Sequence, residues 1–349
     1  MLLFIFLFLI LLGFHFRKSK IFSAILFFFT WILIGWNTNN ADFENYKIRF
    51  EYTDYDFTKI DFFGEQGFNL LNYFGSSLHL DYLHFKIIIS FICLFLIFRV
   101  IYIYARYHTL VIASYCLFLF VLDVTQLRNF IAFSIVLSAL PLLIKNKFTA
   151  NIWYVLWVLI ACTIHISSIF YLIFVFANVK FNKKLLIIWV LAVFVIKTTI
   201  YQYINSMVVK ANDYQDKVSF LGFIMYTIIQ IINLIYLSKI HTKKISIKLS
   251  HEQKQITVSD LVLNINWLLL FLLPFYLDSI TFSRLFRNMT LFNFIFITNH
   301  FTFSKKINFN MVTYISYGLF FLLVYNVFGG NFEKIVLPVF NNNSFNLIN

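Results

Sequence analysis

The chain has 349 residues, 61% of them hydrophobic and only 12% charged, with a mean hydropathy of +0.81. A soluble domain is nearer half apolar and a quarter charged, so these proportions exclude one and predict an all-α, polytopic integral membrane bundle, with residues 1–349 as a single membrane domain. The net charge of +13 does not indicate a nucleic-acid binder, because the basic residues are spread between apolar runs as the positive-inside rule requires.

Apolar runs recur from Met1 to Phe328. About twelve crossings (ten to fourteen) are expected: 2–16, 21–36, 86–104, 109–122, 130–144, 150–164, 166–179, 185–200, 218–238, 259–277, 286–303 and 308–328. Several are short against the roughly 20 residues a span needs. Residues 1–12 carry no basic n-region and no small-residue cleavage site follows, so a retained helix is expected rather than a signal peptide. Cys93, Cys116 and Cys162 lie in apolar runs without metal-ligand spacing and read as buried structural thiols. Nine glycines, and Pro141 read as the one mid-span proline, give no signal of the broken helices that transporters use around ions.

Residues 37–84 form the longest polar connection, with the acids Asp42, Glu44, Glu51, Asp54, Asp56, Asp61, Glu65 and Asp81 against Lys47, Arg49 and Lys59. Aromatic residues from Phe43 to Tyr82 are spread through it. Its second half, GFNLLNYFGSSLHLDYLHF, has helix-period apolar positions and could lie along the membrane interface. A loop this long is more often functional than idle.

Charge sets the orientation. One set of connections holds Arg17, Lys18, Lys20, Arg106, Lys145, Lys147, Lys180, Lys183, Lys184, Lys239, Lys243, Lys244, Lys248, Lys254, Lys305 and Lys306, accompanied only by Glu252 and Asp260. That side, including a loop at 239–258, reads as cytoplasmic; both termini and the 37–84 loop then face outward. The stretch NIWYVLWVLIACTIHISSIFYLIFVFANV, 151–179, has lysines beyond both ends, so two short helices must turn near His165. At 1.5 Å per residue each would reach only about 20 Å, which places His165 in an outward recess. Arg128 falls in an outer turn on the same side, with the loops 201–217 and 278–288.

An outward pocket with arginines, a histidine and an acidic aromatic loop suits a lipid-linked anionic substrate, because a guanidinium pairs bidentately with phosphate and aromatic faces suit sugar rings. Each residue also has a plain structural reading. Arg128, Arg284 and Arg287 could be headgroup anchors, His165 a structural hydrogen-bonding group, and any one loop acid simply solvated.

The stretch QLRNFIAFSIVLSALPLLIKNK, followed by a helix ending in IHISSIFYL, resembles the EpsG-like branch of the Wzy-type polysaccharide polymerases. That family begins a helix with Gln-x-Arg-Gln/Asn-x-x-Ala, makes a basic turn, and ends the next helix in His-x-Ser. Gln126, Arg128, Asn129, Ala132, His165 and Ser167 match in order and spacing. Upstream, Asp42, Tyr46, Glu65, Gly67 and Phe68 match the loop pattern, and Arg284 in FSRLFRN matches a late outer arginine. One departure is GWNTNNADFENY, where relatives carry an arginine shortly before the aspartate; Lys47 or Arg49 is the candidate replacement.

The resemblance implies a GT-C-like bundle in the bacterial cytoplasmic membrane. It implies polymerisation of undecaprenyl-diphosphate-linked oligosaccharide units at the outer face, in the company of a flippase and a chain-length regulator, with no nucleic acid, no cofactor and no metal. Arg128, His165, Glu65 and Asp42 are then the catalytic candidates, and Arg284, Arg287, Gln126 and Tyr46 the diphosphate- or sugar-binding candidates. His165, Glu65 and Asp42 all remain possible bases. Three other classes compete. A membrane O-acyltransferase would place its histidine on the inner side, a flippase would line mid-membrane helices with charges, and a glycan ligase would share the donor and differ in the acceptor.

Overall fold

The computed structural model describes residues 1–53, 65–179, 182–204, 220–245, 257–277, 279, 282–301, 309–324 and 332–345. Asp54, Asp56, Lys59, Asp61, Lys180, most of the 201–217 loop, Lys248, Glu252, Lys254, Asp278, Lys305 and Lys306 lie outside these residues. Among the described residues every named element is helical, and the one β-bridge, Asn37 to Asn343, is isolated.

Among the described residues four helical stretches are, by length and composition, long and apolar enough to cross a membrane: Tyr82–Tyr104, Leu127–Lys145, Phe220–His241 and Val258–Leu277. The chain is a helical membrane protein. The remaining expected crossings coincide with further helices, several of them short: Leu2–His15 (α1), Lys20–Gly35 (α2), His108–Phe118 (α6), Phe148–Ile164 (α9), the 3-10 helix Ile166–Asn178, Lys183–Ile204 (α10), Ser283–His300 (α13) and Phe309–Leu322 (α14).

Two of these spans change helix type part-way. The helix Leu127–Ala139 (α8) passes into a 3-10 segment, Leu140–Lys145, and Val258–Leu268 (α12) into another, Leu269–Leu277. Pro141 lies in the first; Pro274, which the mid-span reading overlooked, lies in the second. Proline has no N–H for the α-helical bond and its ring crowds the carbonyl four residues back. The 3-10 helix after His165 also corrects the length argument. At about 2.0 Å per residue its thirteen residues reach roughly 26 Å, close to the reach of α9. The Tyr154 hydroxyl donates to the Tyr171 carbonyl at 2.7 Å, tying the two legs of this hairpin.

The chain forms two compact units. The first comprises 1–141, 152–171 and 294–349. Here α2 packs along Tyr82–Tyr104 (α5), α5 along α8, and α1 along α6. Asp81 caps α5 by accepting from the His84 amide at 2.8 Å. Onto the start of α5 the 37–84 segment lays two short helices, Phe43–Glu51 (α3) and Gln66–Ser77 (α4). The buried face of α3 is Phe43, Tyr46 and Phe50, at helical spacing, with the Phe50 ring tilted against Phe85 at 4.9 Å between centroids. Gly75 of α4 lies against the Phe50 and Phe85 rings, where a Cβ would sit 2.6 Å from Phe85. Buried Lys86 donates to the Asn37 carbonyl and lies 4.9 Å from the Phe43 ring, anchoring the segment's first residues. Asn37 in turn donates to the carbonyls of Pro338 at 3.0 Å and Asn342 at 3.1 Å, fastening the segment 332–345 beside it.

The second unit comprises 142–151 and 172–293. Its helices are held by a closed set of buried side-chain amides: Asn233 donates to Asn266 at 2.7 Å, Asn266 to Asn293 at 2.7 Å, and Asn293 back to Asn233 at 3.3 Å. Such bonds between membrane helices fix which faces meet, since lipid offers polar groups no alternative partner. Lys197, within an expected span, donates to the Pro274 carbonyl at 2.5 Å.

Candidate active site

Four of the eight candidate residues meet in the first unit, around one carboxylate. Glu65 immediately precedes α4 and its backbone is left-handed, with φ 54° and ψ 45°. That conformation costs a non-glycine residue about 1 kcal/mol or more, so local preference does not explain a glutamate there. Two positions on, Gly67 packs on Thr163 so closely that a Cβ would lie 2.1 Å from the Thr163 hydroxyl oxygen and 3.0 Å from its backbone carbonyl carbon. This contact delivers Glu65 to the end of α9, where His165 follows Ile164.

His165 Nδ1 lies 3.0 Å from Glu65 Oε1. Arg128 Nη1 donates to Glu65 Oε2, and Arg49 Nη1 donates to the same oxygen at 3.3 Å. Arg49 is fixed from its other side, where Nε donates to Asn69 Oδ1 at 2.9 Å and the guanidinium stacks 5.1 Å from the Phe68 ring. Arg128 belongs to the first turn of α8, just past the break at Gln126 that follows the short helix Phe120–Thr125 (α7), so the positive end of the α8 dipole adds to its charge. Its guanidinium lies 5.6 Å from the ring of buried Tyr46.

Burial opposes ionisation of Glu65, but the hydrogen bond from His165 and the positive charges of Arg128 and His165 outweigh it, holding the carboxyl down at about 2. Burial raises the Tyr46 phenol above its ordinary value, with Arg128 opposing, so the hydroxyl keeps its proton. The carboxylate accepts, so His165 Nδ1 carries a proton toward it, and a neutral imidazole then presents Nε2 as an acceptor. Two guanidinium groups share one carboxylate, which leaves the cluster net positive and suited to an anion. The side chains are not sealed: Arg49 is 30% exposed, His165 23% and Arg128 20%.

The other candidates lie apart from this ring of contacts or in the other unit. Asp42 occupies the N-cap position of α3, one turn before Tyr46, on whose phenol its charge acts. Gln126 is buried at the N-cap position of α8, where its carbonyl accepts from the Phe130 amide at 2.9 Å. Arg284 and Arg287 open α13 in the second unit. Arg284 is half-buried, while Arg287 is 2% exposed and donates to Asn288 Oδ1 at 3.3 Å. Arg49 was legible only as a replacement for a missing arginine, yet it reaches the carboxylate directly. Asn69 carried no sequence signal beyond its place one turn after Glu65. Among the described residues no group of three or more His, Cys, Asp or Glu side chains is placed to hold a metal ion.

The sequence model of the EpsG family matches residues 20–338, a stretch containing every one of these residues. The chain belongs to the EpsG family. Membership gives it a polymerase-like role in polysaccharide biosynthesis. No curated protein and no solved structure matches the chain. In this EpsG-family chain, the motif residues Glu65, Arg128 and His165 are therefore neighbours in space, although Glu65 lies 63 residues before Arg128 and 100 before His165.

Proposed function

We propose that the chain is a glycosyltransferase that polymerises undecaprenyl-diphosphate-linked oligosaccharide repeat units at the outer face of the bacterial cytoplasmic membrane. The observation that carries this reading is the Glu65 carboxylate shared by Arg128, Arg49 and His165. A cluster that is net positive, partly open and beside aromatic rings suits a diphosphate joined to a sugar. The twelve-crossing orientation and a GT-C-like scaffold belong to the same reading.

In this mechanism the acceptor hydroxyl gives its proton to His165 Nε2. Its oxygen bonds to the anomeric carbon of the growing glycan as the bond from that carbon to the diphosphate oxygen breaks. The electron pair leaves with the lipid diphosphate, whose added charge Arg128 and Arg49 stabilise. Glu65, held at about 2, is too weak a base for the hydroxyl at neutral pH. It instead fixes the imidazole's tautomer and favours the imidazolium as it forms, the role a carboxylate plays behind a catalytic histidine. Arg284, matched to the family's late outer arginine, and Arg287, one helical turn on, are tested separately.

The test is reconstitution in vesicles with an undecaprenyl-diphosphate-linked repeat unit, reading polymer and released lipid diphosphate. Polymer with wild type and none with His165→Ala supports the reading. Translocation of the lipid-linked unit without polymer would make the chain a flippase, and transfer only to a non-glycan acceptor would make it another transferase.

A further inference from the structure

A second set of contacts reaches the active site from the far end of the sequence. Helix α2 ends at Gly35, and residues 36–40 lead from it to α3, which carries Tyr46 and Arg49. The last carbonyls of a helix need donors from outside it. Asn343 is such a donor: its Nδ2 donates to the Ile32 carbonyl at 3.2 Å and the Leu33 carbonyl at 3.3 Å. The Ser344 amide donates to the Trp36 carbonyl at 2.9 Å. The Asn342 carbonyl accepts from the Thr38 amide at 2.8 Å, the Thr38 hydroxyl at 3.1 Å and Asn37 Nδ2 at 3.1 Å. Asn37 is 0% exposed and Asn343 3%, so water does not compete for their bonds. Val339 and Phe340 are buried just before them, with the Phe340 ring 5.2 Å from that of Phe6 in α1, which holds the clasping segment on the bundle.

From Asn37 the contacts run forward. Asn40 Nδ2 donates to Asn37 Oδ1 at 2.7 Å, and Asn40 Oδ1 accepts from the Asp42 amide at 3.1 Å. Asp42 occupies the N-cap position of α3 without a side-chain capping bond, so Asn40 secures the chain at that point. Helix α3 has nine residues, a length that is marginal for a helix standing alone. Its place is therefore set by what holds its start and its buried face. Arg49 lies seven residues past Asp42, about 10 Å along the axis, so a shift at the start carries through to the active site.

We propose that Asn37 and Asn343 are positioning residues: the segment 337–345 clasps residues 36–40 and thereby sets where α3 holds Tyr46 against Arg128 and Arg49 against Glu65. The consequence for turnover rests on the polymerase reading; the placement of α3 does not. A misplacement of about 1 Å at an active site can cost roughly 10²-fold in rate.

The test uses the full-length chain, with hydrogen–deuterium exchange in detergent beside polymer turnover in vesicles. Asn343→Ala should lower the protection of α3 roughly tenfold while α9 and α13 keep wild-type protection. Turnover should fall roughly tenfold at unchanged membrane abundance, and Asn343→Gln, which keeps an amide, should restore part of it. Thr38→Val keeps the shape and removes one bond to Asn342, and should show the same pattern more weakly. In an Arg49→Ala background Asn343→Ala should cost little more turnover, because its effect runs through α3. Unchanged protection of α3, an equal loss of protection in α9 and α13, or full additivity with Arg49→Ala overturns the proposal. Exchange is read without substrate, so it decides the clasp by itself; a wild type that makes no polymer overturns the polymerase reading instead.

Discussion

Glu65 Oε1 and His165 Nδ1 lie 3.0 Å apart across 100 residues of sequence, and the same carboxylate takes Arg128 and Arg49 on its other oxygen. One side chain therefore orients the histidine and holds the two arginines. Because it is depressed to about 2 against an ordinary 4.5, its ionisation stabilises the folded chain by roughly 3 kcal/mol at neutral pH. For a group depressed in the folded state, that contribution is complete above about pH 4.5 and fades as pH falls toward 2. Wild type should lose stability across this acid window, and Glu65→Gln, less stable at pH 7, should lose much less there. Thermal melts in detergent at stepped pH check this; parallel curves would refute the linkage.

Arg128→Ala should remove long polymer while leaving the chain in the membrane. Arg128→Lys should restore little, because an ammonium cannot hold a carboxylate and a phosphate with a planar fork. Glycan length against membrane abundance measures both, and normal length in the lysine variant would rule out the bidentate role.

Gly67→Ala should act through position alone. The added methyl would overlap the Thr163 side chain and press on its backbone, costing about 1–3 kcal/mol and moving Glu65 away from His165. Activity should fall further than stability does, and Thr163→Ala, which removes the hydroxyl oxygen that the new methyl would meet first, should partly rescue it. A Gly67→Ala chain with wild-type turnover would show that the close approach does not position the carboxylate.

Arg284 and Arg287 should separate in the second unit. Buried Arg287, bonded to Asn288, is expected to hold the start of α13, so Arg287→Ala should lower membrane abundance. Half-buried Arg284 is expected to serve substrate, so Arg284→Ala should lower polymer at normal abundance. Quantitative immunoblots beside glycan gels distinguish the two outcomes.

The helices were legible because long apolar runs with basic ends have few alternatives in a bilayer. Their changes from α to 3-10 geometry were not. Pro274 sits inside LLFLLPFYL, where hydropathy swamps the one residue that cannot donate a backbone bond. A 3-10 helix has the same composition as an α-helix, so the longer reach of Ile166–Asn178 left no trace in the sequence. Arg128, His165 and Glu65 were legible as motif residues, but their convergence depends on Gly67 and Thr163, a contact between segments nearly a hundred residues apart. Arg49 was legible only as one of two candidate replacements, because nothing in FENYKIRFE marks which of its two cations turns toward Glu65.

The most direct measurement is surface-glycan chain length in a deletion strain complemented with wild type or His165→Ala at matched membrane abundance. Polymerisation through His165 predicts single repeat units without the gene, a full ladder with wild type, and single units with His165→Ala. A full ladder from His165→Ala would contradict the central role of the Glu65–His165 pair, and single units that never reach the outer face in the deletion strain would contradict polymerisation itself.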